Sequence, residues 1–244
     1  MLELTGVTHQ YGSLTALDDV TLSVTDGKVG LVGVNGAGKT TLLSVASGAV
    51  MPTSGLVAVN GSSPYDRPQR REALARIALM PQYLEVPSHL TAHEAVSYLT
   101  WMRGARWRDA VRAAHSALAD VGLAQRANSK LRALSGGMAR RVALAQAIAL
   151  KPAVLLLDEP TTGLDPEQRR SVLDLVANLD ATVVMSSHII EDIATVCDTV
   201  VVLHDGRIKF HGTLAELKAL AAEPSSPRAL EDAFVSLIAA EKSE

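Results

Sequence analysis

From Leu2 to Val24 apolar and polar positions alternate with a break at Gly12-Ser13, the pattern of two antiparallel strands, 2–11 and 15–24, joined at a turn. After Asp26-Gly27 the alternation stops. KVGLVG is a continuous apolar run, a glycine-rich turn follows it, and a periodic run from Lys39 to Ala46 comes next, which predicts strand, loop and helix. The same order returns at AVLLLD (153–158) before a helix from Pro166, and at TVVMSS (182–187) before a helix near Ile189. Strands buried on both faces read as continuous apolar runs, and strand–helix alternation predicts a parallel sheet. The core is therefore expected to be α/β: a P-loop-type parallel sheet with a small antiparallel β-subdomain at its start.

Between Thr91 and Leu134 the period changes again. RIALM (76–80) is strand-like, but HEAVSYLTWM and RDAVRAAHSALADV carry apolar residues at helical spacing, which predicts an inserted helical subdomain at about 84–134. Thr91 and Glu94 have the Thr-x-x-Glu spacing of a capping box, and Gly122 is placed to end the second helix. EPSSPRALEDAFVSLIAA passes from a Pro/Ser linker into a short amphipathic helix with Leu230, Phe234 and Leu237 on one face. The division expected is a main domain at 1–222 and a linker with a short helix at 223–244.

Composition narrows the function classes. With 244 residues, 48% of them hydrophobic, the chain can bury a sizeable core. A formal net charge of -3 argues against a protein built to neutralise a nucleic-acid backbone, and no nucleic-acid partner is expected. The first residues, MLELTGVTHQ, carry no cationic run and no apolar stretch of signal length, so a cytoplasmic protein is expected. No run reaches the ~18 apolar residues needed to span a bilayer. The single cysteine, Cys197, cannot form an internal disulfide and reads as a core residue.

The chemistry is concentrated in two motifs. Gly33-Val34-Asn35-Gly36-Ala37-Gly38-Lys39-Thr40 has the P-loop pattern, followed by Thr41 in the first helical turn. Its glycines let backbone amides converge on phosphate oxygens at the positive end of a helix. Lys39 would reach the β- and γ-phosphates of ATP, and the Thr40 hydroxyl would coordinate Mg2+, an ion that prefers hard oxygen ligands. AVLLLDEP then supplies adjacent carboxylates at the end of a buried strand: Asp158 for the metal, and Glu159 to accept a proton from the attacking water.

The spacing of these and further motifs resembles the nucleotide-binding subunit of ATP-binding cassette (ABC) transporters, from about residue 2 to residue 220. Leu134-Ser135-Gly136-Gly137-Met138 resembles the family signature. The resemblance implies that Ser135, Gly136 and Gly137 bind the γ-phosphate of ATP held by an opposite subunit, hence a head-to-tail dimer of cassettes. Gln82 resembles the family's glutamine that touches magnesium and water. Gly163-Leu164-Asp165 resembles the loop that communicates across the dimer, His188 the switch histidine on the γ-phosphate, and Tyr11 the aromatic that stacks on adenine. Val34 stands where proline is frequent and Met138 where many members have glutamine. Met138 together with RALEDAF resembles the bacterial branch that exports drugs, antibiotics or polymers.

The function expected from the resemblance is an ATPase that dimerises on MgATP and drives transport through a separate membrane permease. It would sit peripherally on the cytoplasmic face of the membrane, with identical or different cassettes forming the working pair. The permease would dock on the helical subdomain and the loop from Gln82 to Arg103, with Arg103, Arg106, Arg108 and Arg112 near anionic lipid. The competing reading is a soluble regulatory ATPase of the same family acting on ribosomes or DNA. Against it, the chain has one motif set and no heptad-rich arm.

Overall fold

The computed structural model describes residues 1–239. Two strands, β1 (Leu2–Tyr11) and β2 (Leu14–Val24), form the opening hairpin. They are joined by β4 (Ser54–Val59) into a three-stranded antiparallel sheet of order β2-β1-β4. The second sheet has six strands. They are β3 (Lys28–Val32), β5 (Ile77–Met80), β6 (Val154–Leu157), β7 (Thr182–Ser187), β8 (Thr199–His204) and β9 (Arg207–Thr213), in the order β5-β6-β7-β3-β8-β9. All neighbours are parallel except β9, which returns antiparallel along β8 and forms the edge.

The continuous apolar runs are explained by what lies on each face of this sheet. Val154 and Leu156 belong to a core shared with α1 (Lys39–Ala46) and the three-stranded sheet. Leu155 and Leu157 belong to a second core with α5 (Gly136–Ile148), α6 (Pro166–Ala177) and α7 (Ile190–Val196). Successive residues of one strand thus face different cores, and neither parity can be polar. In the middle of β3, Gly30 pairs with Met185 on one side and Val200 on the other. A Cβ built there would lie 2.0 Å from Ile193 Cγ2, so α7 approaches the sheet at a depth that only a glycine permits.

The predicted helical insertion is present as α3 (Ala92–Met102) and α4 (Trp107–Asp120), with two single 3-10 turns after them. The Thr91–Glu94 capping box is formed in both directions, Glu94 N–H donating to Thr91 Oγ1 at 3.1 Å and Thr91 N–H to Glu94 Oε2 at 2.8 Å. Gly122, at φ 72, follows the end of α4. α8 (Leu214–Ala219) and α9 (Ala229–Ala239) close the described chain, and Ala229, Ala233, Leu230, Phe234 and Leu237 join the second core. Residues 240–244 of the expected tail lie outside the described residues.

One sequence-based expectation is corrected. Arg103, expected to offer its charge at the surface, is engaged by backbone carbonyls instead. Its guanidinium turns inward and donates to the carbonyls of Ile77 at 3.1 Å, Ala147 at 3.3 Å and Gln146 at 3.4 Å. It ties the corner after α3 to the end of α5 and the start of β5. A guanidinium with several donors in a fixed fork satisfies such carbonyls well. Arg106, Arg108 and Arg112 are exposed.

Candidate functional site

The phosphate cradle follows from how β3 hands over to α1. Gly38 takes the N-cap position at φ 103, and a Cβ there would come within 2.5 Å of the Ala16 carbonyl oxygen. Only glycine allows this turn and this approach. No side chain caps α1, so its first amides remain available to an anion at the positive helix end. Lys39 folds back over the loop, 6% exposed, and its Nζ donates to the carbonyls of Gly33 at 2.7 Å and Val34 at 3.2 Å. Burial lowers its pKa, and the opposing charges of Glu159 and Asp158 raise it in part.

Across from Lys39 stand the two carboxylates after β6. The Asp158 N–H continues the ladder onto the Met80 carbonyl at 2.9 Å, and its side chain, 2% exposed as a residue, accepts from Ser186 Oγ at 2.7 Å. Glu159 adopts φ 45, a left-handed conformation that a residue with a Cβ adopts at a cost. Its N–H reaches the same Ser186 hydroxyl oxygen at 2.9 Å, so one serine holds both residues in place. The turn aims the Glu159 carboxylate at the cradle. Oε2 accepts from Thr162 Oγ1 at 2.7 Å and lies 3.0 Å from His188 Nδ1, while Oε1 lies 3.7 Å from Lys39 Nζ. Burial pushes the Glu159 carboxyl up, but the Thr162 hydroxyl, His188 and Lys39 together hold it below its ordinary value.

The segment after Glu159 is pinned from below. Asp192, 1% exposed, accepts from Thr161 Oγ1 at 2.6 Å and from Arg169 Nε at 2.5 Å, joining the loop, α6 and α7. Asp165, in the Gly163-Leu164-Asp165 stretch, caps α6 by accepting from Gln168 N–H at 2.8 Å.

A cleft of about 480 Å3 brings together Tyr11, Asn35, Gly36, Ala37, Gly38, Lys39, Thr40, Thr41, Gln82 and Glu159. Leu14, Thr15 and Ala16 line it as well. Tyr11 is 50% exposed and stands edge-on to His9 with ring centroids 4.5 Å apart, leaving a ring face free for a planar base. Thr40, Gln82 and Asp158 line an adjoining cavity of about 520 Å3. A hydroxyl, an amide and a carboxylate are hard oxygen donors, so the residues fit Mg2+, and among the described residues no His/Cys/Asp/Glu cluster points to a softer metal.

The structure keeps Ser135, Gly136 and Gly137 away from these cavities: none of them lines either. Ser135 caps α5 by accepting from Met138 N–H at 3.3 Å, and both Ser135 and Gly136 are exposed. α5 nevertheless reaches the nucleotide side, since Arg140 donates to the Gln82 carbonyl and Gln146 Nε2 to the Leu79 carbonyl at 3.1 Å. Sequence reasoning missed Thr162, Ser186, Arg140 and Asp192. Thr162 follows Glu159 by three residues and Ser186 precedes His188 by two, so proximity to a known motif was the available signal.

Known proteins resemble this chain in sequence and in fold. The sequence model of the family described as ABC transporter matches residues 17–162. The chain is 42% identical over 219 residues to the Energy-coupling factor transporter ATP-binding protein EcfA2 of Symbiobacterium thermophilum, covering 85% of this chain and 75% of that one. It is 34% identical over 221 residues to the Linearmycin resistance ATP-binding protein LnrL of Bacillus subtilis, covering 89% and 70%. Among solved structures, the dimeric post-hydrolysis state of the ATP-binding cassette MJ0796 bound to ADP and Pi superposes with a TM-score of 0.77 at 27% identity, covering 87% of this chain and 98% of that one. The chain belongs to the ABC transporter family, as an ATP-binding subunit that hydrolyses ATP.

Proposed function

We propose that two cassettes, each like this chain, close around two ATP molecules, each held between the P-loop of one and the Ser135-Gly136-Gly137 amides of the other. The observation that carries this reading is the convergence of Lys39, Glu159 and His188 at the mouth of the P-loop, with a second helix start, where Ser135 and Gly136 are exposed, outside that cleft on the same chain. The P-loop amides and Lys39 hold the β- and γ-phosphates, and Tyr11 offers a face to the adenine. Thr40, Gln82 and Asp158 would hold Mg2+, which when bound offsets negative charge on the phosphates. Glu159, kept ionised by Thr162, His188 and Lys39, accepts a proton from the attacking water. His188, bonded to that carboxylate, links the γ-phosphate position to the base. Loss of the γ-phosphate removes the group shared by both halves, and the pair opens.

The mechanical output passes to a membrane permease, a reading supported by the transporter relatives; no helix among the described residues is long and apolar enough to cross a membrane. A cleft of about 970 Å3 between the core and the helical insertion, lined by Arg67, Arg71, Leu99, Met102 and Arg103, is the proposed seat for a permease segment. The chain then works at the cytoplasmic face. Export is the direction favoured by Met138 and the RALEDAF tail, and the resistance relative LnrL is in keeping with it.

Glu159→Gln tests the core of the proposal. ATP hydrolysis should fall by ~10²–10⁴-fold, the range for loss of a general base, while MgATP binding persists and the protein elutes as a dimer in MgATP. Retained hydrolysis, or a monomer in MgATP, would sink it. Co-purification of a multi-span membrane protein with the same variant tests the transport arm, and transport into inverted vesicles tests the direction.

A further inference from the structure

The corner between α3 and α4 carries a feature that neither ATP chemistry nor the fold requires. Tyr98, Trp101, Met102 and Trp107 are 41%, 48%, 61% and 53% exposed. Their rings form a chain, with centroids 6.0 Å apart for Tyr98–Trp101 and 6.4 Å for Trp101–Trp107. The protein has two tryptophans, and both are in this patch. Scattered exposed apolar residues are ordinary, whereas contiguous aromatic ones mark a contact surface. Around Trp107 stand Arg106, Arg108 and Arg112, which line a shallow hollow with it. Asp109 is the acid there, and it pairs with Arg112 at 2.5 Å, which leaves Arg106 and Arg108 as surplus positive charge in a chain of net -3. The inward bonds of Arg103 to three carbonyls fasten this corner to α5 and β5, so the patch is presented on a fixed support.

We infer that this aromatic and arginine corner rests on the headgroup layer of an anionic bilayer. Trp and Tyr settle at the boundary between headgroups and acyl chains, and arginines beside them attract anionic lipid. A chain of net negative charge is otherwise repelled by such a surface, so a local basic patch decides which side faces it. The inference rests on the transport reading in one respect: Met102 also lines the cleft proposed for the permease, which puts the patch at the rim of that seat. Lipid contact at the corner would orient the cassette before and during docking.

Since both tryptophans lie in the patch, their emission reports on it directly. Purified full-length protein is titrated with vesicles of phosphatidylcholine alone and of phosphatidylcholine with phosphatidylglycerol. The expected result is a blue shift and co-sedimentation with the anionic vesicles, quenching by brominated acyl chains, and weakening by salt. Arg106→Glu with Arg108→Glu should lower partitioning by at least about tenfold while leaving the ATPase rate in the absence of vesicles unchanged. No shift with anionic vesicles, or an equal shift on both vesicle types that the reversals leave intact, overturns the inference. So does a shift seen only with the permease present and insensitive to brominated lipid, which would make the corner a protein contact. In each of those cases permease co-purification with Glu159→Gln still stands as a separate test of the transport reading.

Discussion

Glu159 is held at φ 45 by hydroxyls on either side of it, Ser186 on its N–H and Thr162 on its carboxylate, and these bonds compensate for the strain. Thr162 is the most direct of these, and with His188 and Lys39 it holds the Glu159 carboxyl below its ordinary value against the upward push of burial. The sign follows from the lowered Glu159 pKa: the carboxylate form is present above the folded value and is lost as pH falls through it. Removing the Thr162 hydroxyl lets that value rise, so Thr162→Val should move the acid limb of the ATPase pH profile to higher pH. A profile that merely drops in height, with its acid limb fixed, would show that Thr162 does not tune the base. Motif spacing made Lys39, Thr40, Asp158 and Glu159 legible because they lie in two short contiguous stretches. Ser186 and Thr162 were not legible in the same way, since a serine or threonine gains meaning only from the atom it faces, and Ser186 faces residues nearly thirty positions away.

Among the elements, those with one strong period were readable. β6 is sandwiched between two cores and shows it as an unbroken apolar run, β7 does so over Val183, Val184 and Met185, and α3 announces its start by its capping box. β4, β9 and the short helix α2 (Arg70–Arg76) escaped. β4 is a partly solvated strand with Leu56 73% exposed, β9 is an edge strand without a fully buried residue, and α2 buries only Ala73. β4 buries only Val57 and Val59 at its end, and β9 and α2 have no consistently buried face, so periodicity has little to record. The connections between elements were equally hidden. Asp192 joins α7 to α6 and to the loop after Glu159 through one buried carboxylate. Asp192→Asn keeps the shape but weakens the bond to Arg169, whose side chain is 31% exposed and can turn to water. A loss of roughly 1–3 kcal/mol in chemical denaturation is expected. The ATPase rate should fall more than nucleotide affinity, since the loop and not the cradle is loosened. Equal losses in both would place the effect in general instability.

At the scale of the whole molecule, the tail returns to the core instead of trailing from it. α9 packs Leu230 and Phe234 on the second core and brings Glu231 into a shared hydrogen bond with Glu191 on α7, and that bond together with their mutual repulsion raises the Glu231 pKa. A carboxyl raised in the folded state adds stability that is complete below its unfolded value and is lost as pH rises through the folded one. Docking of α9 should therefore tighten on acidification through and below that folded value. Glu231→Gln should flatten this dependence, as read by amide exchange over residues 229–239, and an unchanged pH profile would count against the shared proton. α7 is thus loaded from the tail side by Glu191 and from the site side by Asp192, and its height is set at Gly30, where Ile193 fills the space of a missing methyl group. That single hydrogen works as a dimensional tolerance for the machine: a methyl group at position 30, on the face of the sheet that α7 and the tail share, would lift α7, and the displacement would arrive at Thr161 and then at Glu159 without any residue of the nucleotide cleft having been substituted.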